Sequence, residues 1–202
     1  TLMVGGFGLV GAPLTLIEGL LEHPGARDLT IISNNLGEPG RGLGRLLLEG
    51  RVRKAIGSFF TSNPDVVAAY QEGRLEVELL PQGTLAEAIR AGGAGIGGFY
   101  TRTAWGTALA GGREERIIRG EPHLFYESLR ADVALVRARA ADELGNLVYS
   151  KTARNFNPDM ATAADVVIAE VDEVVPVGAL DPEEIVTPHP YVTTVVLSGK
   201  AA

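Results

Sequence analysis

Gly6, Gly8 and Gly11 are spaced G-x-G-x-x-G between the short apolar run Leu2 to Val4 and the periodic stretch Leu14, Ile17, Leu20, Leu21. A glycine turn between a strand and a helix can bring backbone amides against a pyrophosphate, so the spacing raises the expectation of an NAD site. That chemistry also wants a carboxylate near the end of the second strand, to hold the ribose hydroxyls. Asp28 precedes Leu29 to Ile32 instead of following it, and the residues that do follow are Ser33-Asn34-Asn35, neutral groups where a carboxylate belongs. Other chemistries find less support. His23, His123 and His189 are scattered without ligand spacing, and the chain has no cysteine for a thiolate nucleophile, a disulfide or a thiolate zinc site. No G-x-S-x-G, H-E-x-x-H or Walker A pattern occurs.

The elements that must position these residues alternate. Leu2 to Val4 reads as a strand and the stretch after Pro13 as a helix, with Pro13 in the first turn, where a missing N–H costs nothing. Leu29 to Ser33 is a second buried strand, Arg41 to Glu49 a short helix, and Arg53 to Phe59 a strand. Asn63 and Pro64 start a helix that runs to Gln71, and Leu75 to Leu80 is a further strand. Thr84 and Glu87 have the spacing of a capping box for a helix over Thr84 to Ala91. Leu124 to Leu129, Asp132 to Arg139 and Asp165 to Val171 continue the strands, and Asp181-Pro182-Glu183-Glu184 has the composition of a late helix start. Strands separated by helices predict an α/β fold, a mostly parallel sheet with helices on both faces. Eight glycines among the twenty-one residues from Gly92 to Gly112 predict a long loop, and loops of that length are more often functional than filler.

The chain of 202 residues is expected to form one domain over 1–202, large enough for a substantial core. Lys and Arg number 18 against 25 Asp and Glu, so the net charge of −7 argues against a nucleic-acid partner. The uncharged stretch Thr1 to Ile17 is broken by glycines and Pro13, and a membrane span needs about 20 continuous apolar residues, so no membrane role and a cytoplasmic location are expected.

A resemblance then narrows the reading. Leu2-Met3-Val4-Gly5-Gly6-Phe7-Gly8-Leu9-Val10-Gly11-Ala12-Pro13 resembles the signature of family I coenzyme A transferases, three aliphatics followed by G-G-F-x-x-x-G-x-P. The similarity continues through Ser33-Asn34-Asn35, Pro81 to Glu87, Ala91 to Ile96, Phe99-Tyr100-Thr101, Lys151 to Pro158 and Asp181 to Pro188, in the manner of the alpha subunit of 3-oxoacid CoA-transferases. The pair that normally opens the signature would lie before Thr1, which suggests a trimmed version of a longer product. Gly97-Gly98 stands where Pro-Ala is frequent, Asp159 where Met is common, and Pro188-His189-Pro190 where a Gly-Ile pair usually follows the first proline. The resemblance implies the CoA-transferase fold, shared with phosphosugar isomerases and sugar-sensing domains, which remain an alternative class. The family's S-E-N-G nucleophile motif is missing here. It belongs to the beta subunit, so the resemblance implies that this chain is inactive alone and works in an alpha2beta2 assembly.

What that chemistry asks of this chain follows. A glutamate attacks an acyl-CoA thioester, an acyl anhydride forms, and a glutamyl-CoA thioester passes the CoA to a 3-oxoacid or short carboxylic acid. Each step develops an oxyanion, and neutral amides can stabilise it without pinning the carboxylate nucleophile in a salt bridge. By resemblance Asn34, Asn35 and Gln82 are the catalytic donors, each following a strand and so lying at the carboxyl edge of a parallel sheet, where open α/β folds bind ligands. Asn34-Asn35 also suits a plain turn. Gly5, Gly6 and Phe7 are candidates for close backbone approach to substrate, or a tight turn; Gly97, Gly98 and Phe99 are candidates for the acyl wall, or a surface loop. Lys151, Arg154, Asn155 and Asn157 form a polar cluster fit for a helix cap, for the partner or for CoA phosphates. No metal and no further cofactor is implied, coenzyme A being carried as the substrate thioester.

Overall fold

Alternate residues of the first strands face opposite ways, and both faces are buried. The computed structural model describes residues 1–199. Its elements are β1 (Leu2–Val4), α1 (Leu14–Leu21), β2 (Leu29–Ile32), α2 (Leu43–Leu48), β3 (Val52–Gly57), α3 (Pro64–Gln71), β4 (Glu76–Leu79) and α4 (Gln82–Gly93). There follow β5 (Gly98–Thr101), β6 (Glu115–Ile118), β7 (Glu121–Glu127), β8 (Ala131–Arg137), β9 (Ala140–Asp142), β10 (Leu147–Val148), α5 (Asn157–Thr162), β11 (Ala164–Val171), β12 (Glu173–Val175) and β13 (Thr194–Leu197). Seven strands form one parallel sheet in the order β13-β11-β8-β1-β2-β3-β4.

Met3, Ile32, Ile56 and Val167 pack with Leu85 and Ile89 of α4 and Met160 of α5 on one face. Leu2, Val4, Ile31 and Leu135 pack with Ile17, Leu46 and Val66 of α1, α2 and α3 on the other. Each such side chain contributes about 1.5–3 kcal/mol through burial, and a strand buried on both faces has to be apolar throughout, which is why the sequence reads as runs and not as alternation. The expected α/β fold with helices on both faces is the observed one.

The local signals divide. Asn63 caps α3, its side chain accepting from Asp65 N at 3.1 Å with Pro64 in the first turn. The capping box at Thr84 and Glu87 is not formed: α4 begins earlier, behind Pro81, Thr84 is buried with its hydroxyl unpartnered, and Glu87 pairs with Arg90. The segment from Gly92 to Gly112 is not one loop; it holds the end of α4, the strand β5 and a short 3-10 turn at Ala108–Ala110. At Asp181 the cap forms, yet only a 3-10 turn over Pro182–Glu184 follows.

Two small sheets flank the main one, β5-β7-β6 and β10-β9-β12. The second is anchored by Asp142, whose Oδ1 accepts from the amides of Leu144, Gly145 and Asn146 at 3.1, 3.0 and 2.9 Å and whose Oδ2 accepts from Asn146 Nδ2 at 2.7 Å. Burial opposes ionisation of this carboxyl, but these bonds outweigh it and hold its pKa below the usual carboxylate range. A depressed folded-state pKa adds stability that is present above the unfolded value of about 4 and lost as pH falls through the folded value. Asp142→Ala is therefore expected to lower stability by about 1–3 kcal/mol at pH 7, with the gap to wild type narrowing below pH ~4. Thermal melts at the two pH values check this, and a gap that does not narrow refutes the role given to the charge.

Candidate functional site

Because every strand of the main sheet runs the same way, the loops after β1, β2, β3 and β4 come together at its carboxyl edge. Pairing continues past the strand ends and fixes these loops. Ser33 Oγ donates to Val4 O at 2.7 Å, Ser58 N to Asn34 O at 3.0 Å, and Leu80 N to Gly57 O at 2.9 Å.

Three polar side chains meet there. Asn34 is buried at 2% exposure, and its Nδ2 donates to Ser58 Oγ at 2.9 Å and to Gln82 Oε1 at 3.2 Å. The Ser58 hydroxyl donates to the Asn34 carbonyl at 3.3 Å, so its oxygen is left to accept from the Asn34 amide nitrogen. That choice sets the Asn34 amide, and the Asn34 amide in turn sets Gln82, whose oxygen faces inward and whose Nε2 hydrogens are left to face outward. Gln82 is exposed at the first turn of α4, where the helix dipole also favours negative charge. The result is one oriented, neutral donor at the edge of the sheet.

Asn34 and Gln82 are thus brought together, while Asn35 is not part of the relay. Asn35 Oδ1 accepts from Gly37 N at 3.1 Å, the side chain of a turn. Ser58 escaped the sequence reading because the predicted strand ran on to Phe59 and absorbed it; a polar residue directly after β3, level with Asn34, is the signal that was available. Ser58 also lines an apolar hollow of about 350 Å³ with Phe59, Val66, Tyr70 and Leu79. A second cleft, of about 470 Å³, starts at Leu80 and is walled by Tyr126 and Arg113, the guanidinium standing 4.2 Å from the Tyr126 ring centroid. Phe99 backs this cleft by stacking on Tyr126 at 6.2 Å between centroids, and a Cβ on Gly98 would collide with Phe125. Gly97 is exposed and accepts from Ser128 N at 3.1 Å.

The glycine turn is occupied by the chain itself. Gly5 N donates to Leu135 O, Gly6 N to Asn155 Oδ1 and Phe7 N to Val10 O, each at 3.0 Å, so these amides are spent and only the Phe7 ring stays exposed. The amides of Thr15 and Leu16 in the first turn of α1 donate to Glu170 Oε2 at 2.8 and 3.2 Å, and Thr15 Oγ1 donates to Glu170 Oε1 at 3.1 Å. A pyrophosphate would need those same donors, and a buried carboxylate already holds them. The NAD reading of the glycine spacing is thereby corrected.

A family model described as coenzyme A transferase matches residues 1–198. The chain belongs to the coenzyme A transferase family. It is 51% identical to one subunit of the 3-oxoadipate CoA-transferase of Pseudomonas putida, over all of this chain and 88% of that one. It is 47% identical to the alpha subunit of the acetate CoA-transferase of Escherichia coli K12, over all of this chain and 91% of that one. An acyl-CoA transferase of Escherichia coli O157:H7, crystallised as a thioester complex with CoA, shares the fold with a TM-score of 0.86 at 22% identity; the match covers 98% of this chain and 44% of that one.

Within this CoA transferase chain the polar cluster at Lys151 to Asn157 divides in two. Asn155 and Asn157 turn inward under the signature loop: Asn155 Nδ2 donates to Val10 O at 3.0 Å, Asn157 Nδ2 to Gly11 O at 3.1 Å, and Asn157 Oδ1 accepts from Arg137 N at 2.8 Å. They are pins between distant segments, a role invisible in sequence because both partners are backbone. Gly5 is glycine for the same reason, since a Cβ there would collide with the Asn157 amide. Gly5→Ala is expected to cost about 1–3 kcal/mol by overpacking. Asn157→Ala also destabilises by removing buried hydrogen bonds, and the double variant should recover about 1 kcal/mol or more of the summed loss, since the two groups share one space. Additive losses in chemical denaturation would refute that pairing.

Proposed function

We propose that the chain is the alpha subunit of an acyl-CoA:3-oxoacid-type CoA transferase, completed by a beta subunit in an alpha2beta2 assembly in the cytoplasm. The relatives from Pseudomonas putida and Escherichia coli K12 are each named as one subunit of an enzyme, which supports a companion chain here, and in this reading that companion carries the S-E-N-G motif and its nucleophilic glutamate, which this sequence lacks. The substrates are an acyl-CoA and a short carboxylate or 3-oxoacid; 3-oxoadipate and acetate, in the names of those relatives, are acids of this kind. The chain acts as one domain and needs no metal or cofactor of its own, the coenzyme A thioester being substrate.

In this reading the partner's glutamate attacks the thioester carbonyl, the C–S bond breaks, and CoA thiolate leaves an acyl-glutamyl anhydride. The thiolate then attacks the glutamyl carbonyl, releasing the first carboxylate and leaving glutamyl-CoA. The second carboxylate reverses the sequence and takes the CoA. At each tetrahedral stage the carbonyl oxygen carries the charge, and Gln82 Nε2 donates to it. A neutral donor suits a site that must hold two carboxylates in turn, because a cation there would stabilise the ground-state carboxylates as well as the oxyanion. Asn34 and Ser58 position Gln82, Asn35 sets the turn that carries Asn34, and the cleft that begins at Leu80 takes the acyl group and keeps water from the glutamyl thioester.

The relay from Ser58 through Asn34 to Gln82 carries this reading. Co-purified with the product of the neighbouring beta-subunit gene, the wild type should exchange CoA between acyl-CoA and acetoacetate, and the chain alone should not. Gln82→Ala should lower kcat about 10²–10³-fold with the assembly intact by size exclusion. Exchange by the lone chain, or an unchanged kcat in Gln82→Ala, would refute the proposal.

A further inference from the structure

The tight turn from Phe7 to Val10 follows β1 at the carboxyl edge of the sheet and is closed by its own backbone. Phe7 N donates to Val10 O at 3.0 Å and Val10 N to Phe7 O at 3.2 Å, so the two residues face each other across an antiparallel bridge. Partners in such a bridge put their side chains on one face. Here that face is outward, with Phe7 49% exposed and Val10 54%. A single exposed apolar side chain is ordinary, but two large ones paired on a tight turn make a patch that calls for a cause.

The turn is held in place from far along the chain. Asn155 Oδ1 accepts from Gly6 N at 3.0 Å, Asn155 Nδ2 donates to Val10 O at 3.0 Å, and Asn157 Nδ2 donates to Gly11 O at 3.1 Å. A Cβ on Gly11 would come within 2.3 Å of Ala153 O, so the turn sits directly on the segment that carries those asparagines. The amides of Gly5, Gly6, Phe7 and Val10 all donate within the chain, which leaves their backbone no donor for a ligand. What the turn presents is a pair of apolar side chains in a fixed position. Preorganised apolar groups favour a protein surface as partner, because little ordering entropy is lost when they are covered.

Its place along the edge names the partner. The turn follows β1 and Gln82 follows β4, three strands along, and strands lie about 4.8 Å apart, so the patch stands roughly 14 Å from the amide. Between them Phe59, the residue directly after Ser58 of the relay, is a third large apolar side chain, 53% exposed. A stable protein interface buries about 800 Å² on each partner, which is a disc roughly 16 Å in radius. A chain that covers such a disc centred on Gln82 therefore covers Phe59 and reaches Phe7 and Val10.

We propose that the outward face of the Phe7–Val10 turn is a docking point for the companion beta subunit, which closes over the carboxyl edge and seats an apolar surface on Phe7, Val10 and Phe59. This rests on the transferase reading and adds to it the place where the companion sits. An apolar rim around the donor excludes water from the carbonyl that Gln82 serves, which strengthens that hydrogen bond and protects a glutamyl thioester. A second copy of this chain would bring no S-E-N-G glutamate to Gln82, so the occupant is the companion.

The test titrates the purified product of the neighbouring beta-subunit gene into this chain and reads CoA exchange. Val10→Glu puts a charge on the exposed side of the turn, and its lone chain should melt at the wild-type temperature. The midpoint of activation should move to a companion concentration about 10–100-fold higher, with the plateau restored once the companion is in excess. Phe7→Ser should move the midpoint the same way, and it carries the test if Val10→Glu melts early. Leu48→Glu, at the end of α2 just before β3 and more exposed than either residue, should leave the midpoint where it is. An unmoved midpoint in the turn variants overturns the proposal, as does an equal shift in Leu48→Glu. A lowered plateau with an unmoved midpoint overturns it as well and gives the turn to the substrate. So does a lone wild-type chain that dimerises on size exclusion and is split by Val10→Glu, which gives the face to a second copy. Absence of exchange in a wild-type mixture that still co-elutes refutes the transferase reading, and the effect of Val10→Glu on co-elution then decides the docking point by itself.

Discussion

Glu170 is a carboxylate on an interior strand, 3% exposed, and a charge so placed is tolerated only when its surroundings replace water. The amides of Thr15 and Leu16, the Thr15 hydroxyl and the Arg137 guanidinium at 3.5 Å do so. The same contacts give α1 the cap that Pro13 cannot supply and tie β11 to the helix that follows β1. With the helix end filled from inside, the strand-glycine-helix unit becomes a structural corner and ligand binding has to move along the sheet. Over β2, β3 and β4 the carboxyl edge carries the amides of Asn34 and Gln82.

That corner shows why a spacing motif underdetermines chemistry. G-x-G-x-x-G behind a strand satisfies the backbone geometry of a phosphate loop, yet whether amides are available depends on groups more than a hundred residues away. Gly6 N is taken by Asn155 and Gly5 is kept small by Asn157. The longer signature and the Lys151 to Pro158 segment are therefore two halves of one contact. Each half constrains the other, and neither explains itself when read alone.

The legible parts of the fold are those where one local force dominates. Strands buried on both faces must be apolar runs, and Asn63-Pro64 starts a helix through its own side chain, so the parallel sheet and its helices could be read directly. The amides Asn34 and Gln82 were legible as residues at strand ends, though their order as a relay was not, because it passes through Ser58, which the strand read from Arg53 to Phe59 absorbs. Of the small sheets only β7 was read, as the strand Leu124 to Leu129, and it pairs antiparallel outside the main sheet; the other strands were hidden for a different reason. β6 exposes three of its four residues and β10 is two residues long, so neither buries enough to leave a pattern. Glycine richness between Gly92 and Gly112 suggested a loop, whereas Gly92, Gly93 and Gly98 are small because Leu129, Thr162 and Phe125 pack against them. Thr84 and Glu87 have capping-box spacing, but Pro81 starts α4 one turn earlier and tertiary packing buries the threonine.

Charge is distributed unevenly along the sheet edge. Over β2 to β4 the groups in the relay are neutral, and each is oriented by the next through a hydrogen bond, so the donor at the end needs no counter-ion and brings no competing attraction for a carboxylate. Over β1 and β8 the exposed groups include Phe7 and Val10 and two cations without an ion pair among the described residues, Lys151 and Arg154, held by a turn strained at both ends. Cations over β2 to β4 would bind a carboxylate substrate and its product too well for turnover. In the proposed reading, a neutral donor where bonds change stabilises the oxyanion without also holding the ground-state carboxylates.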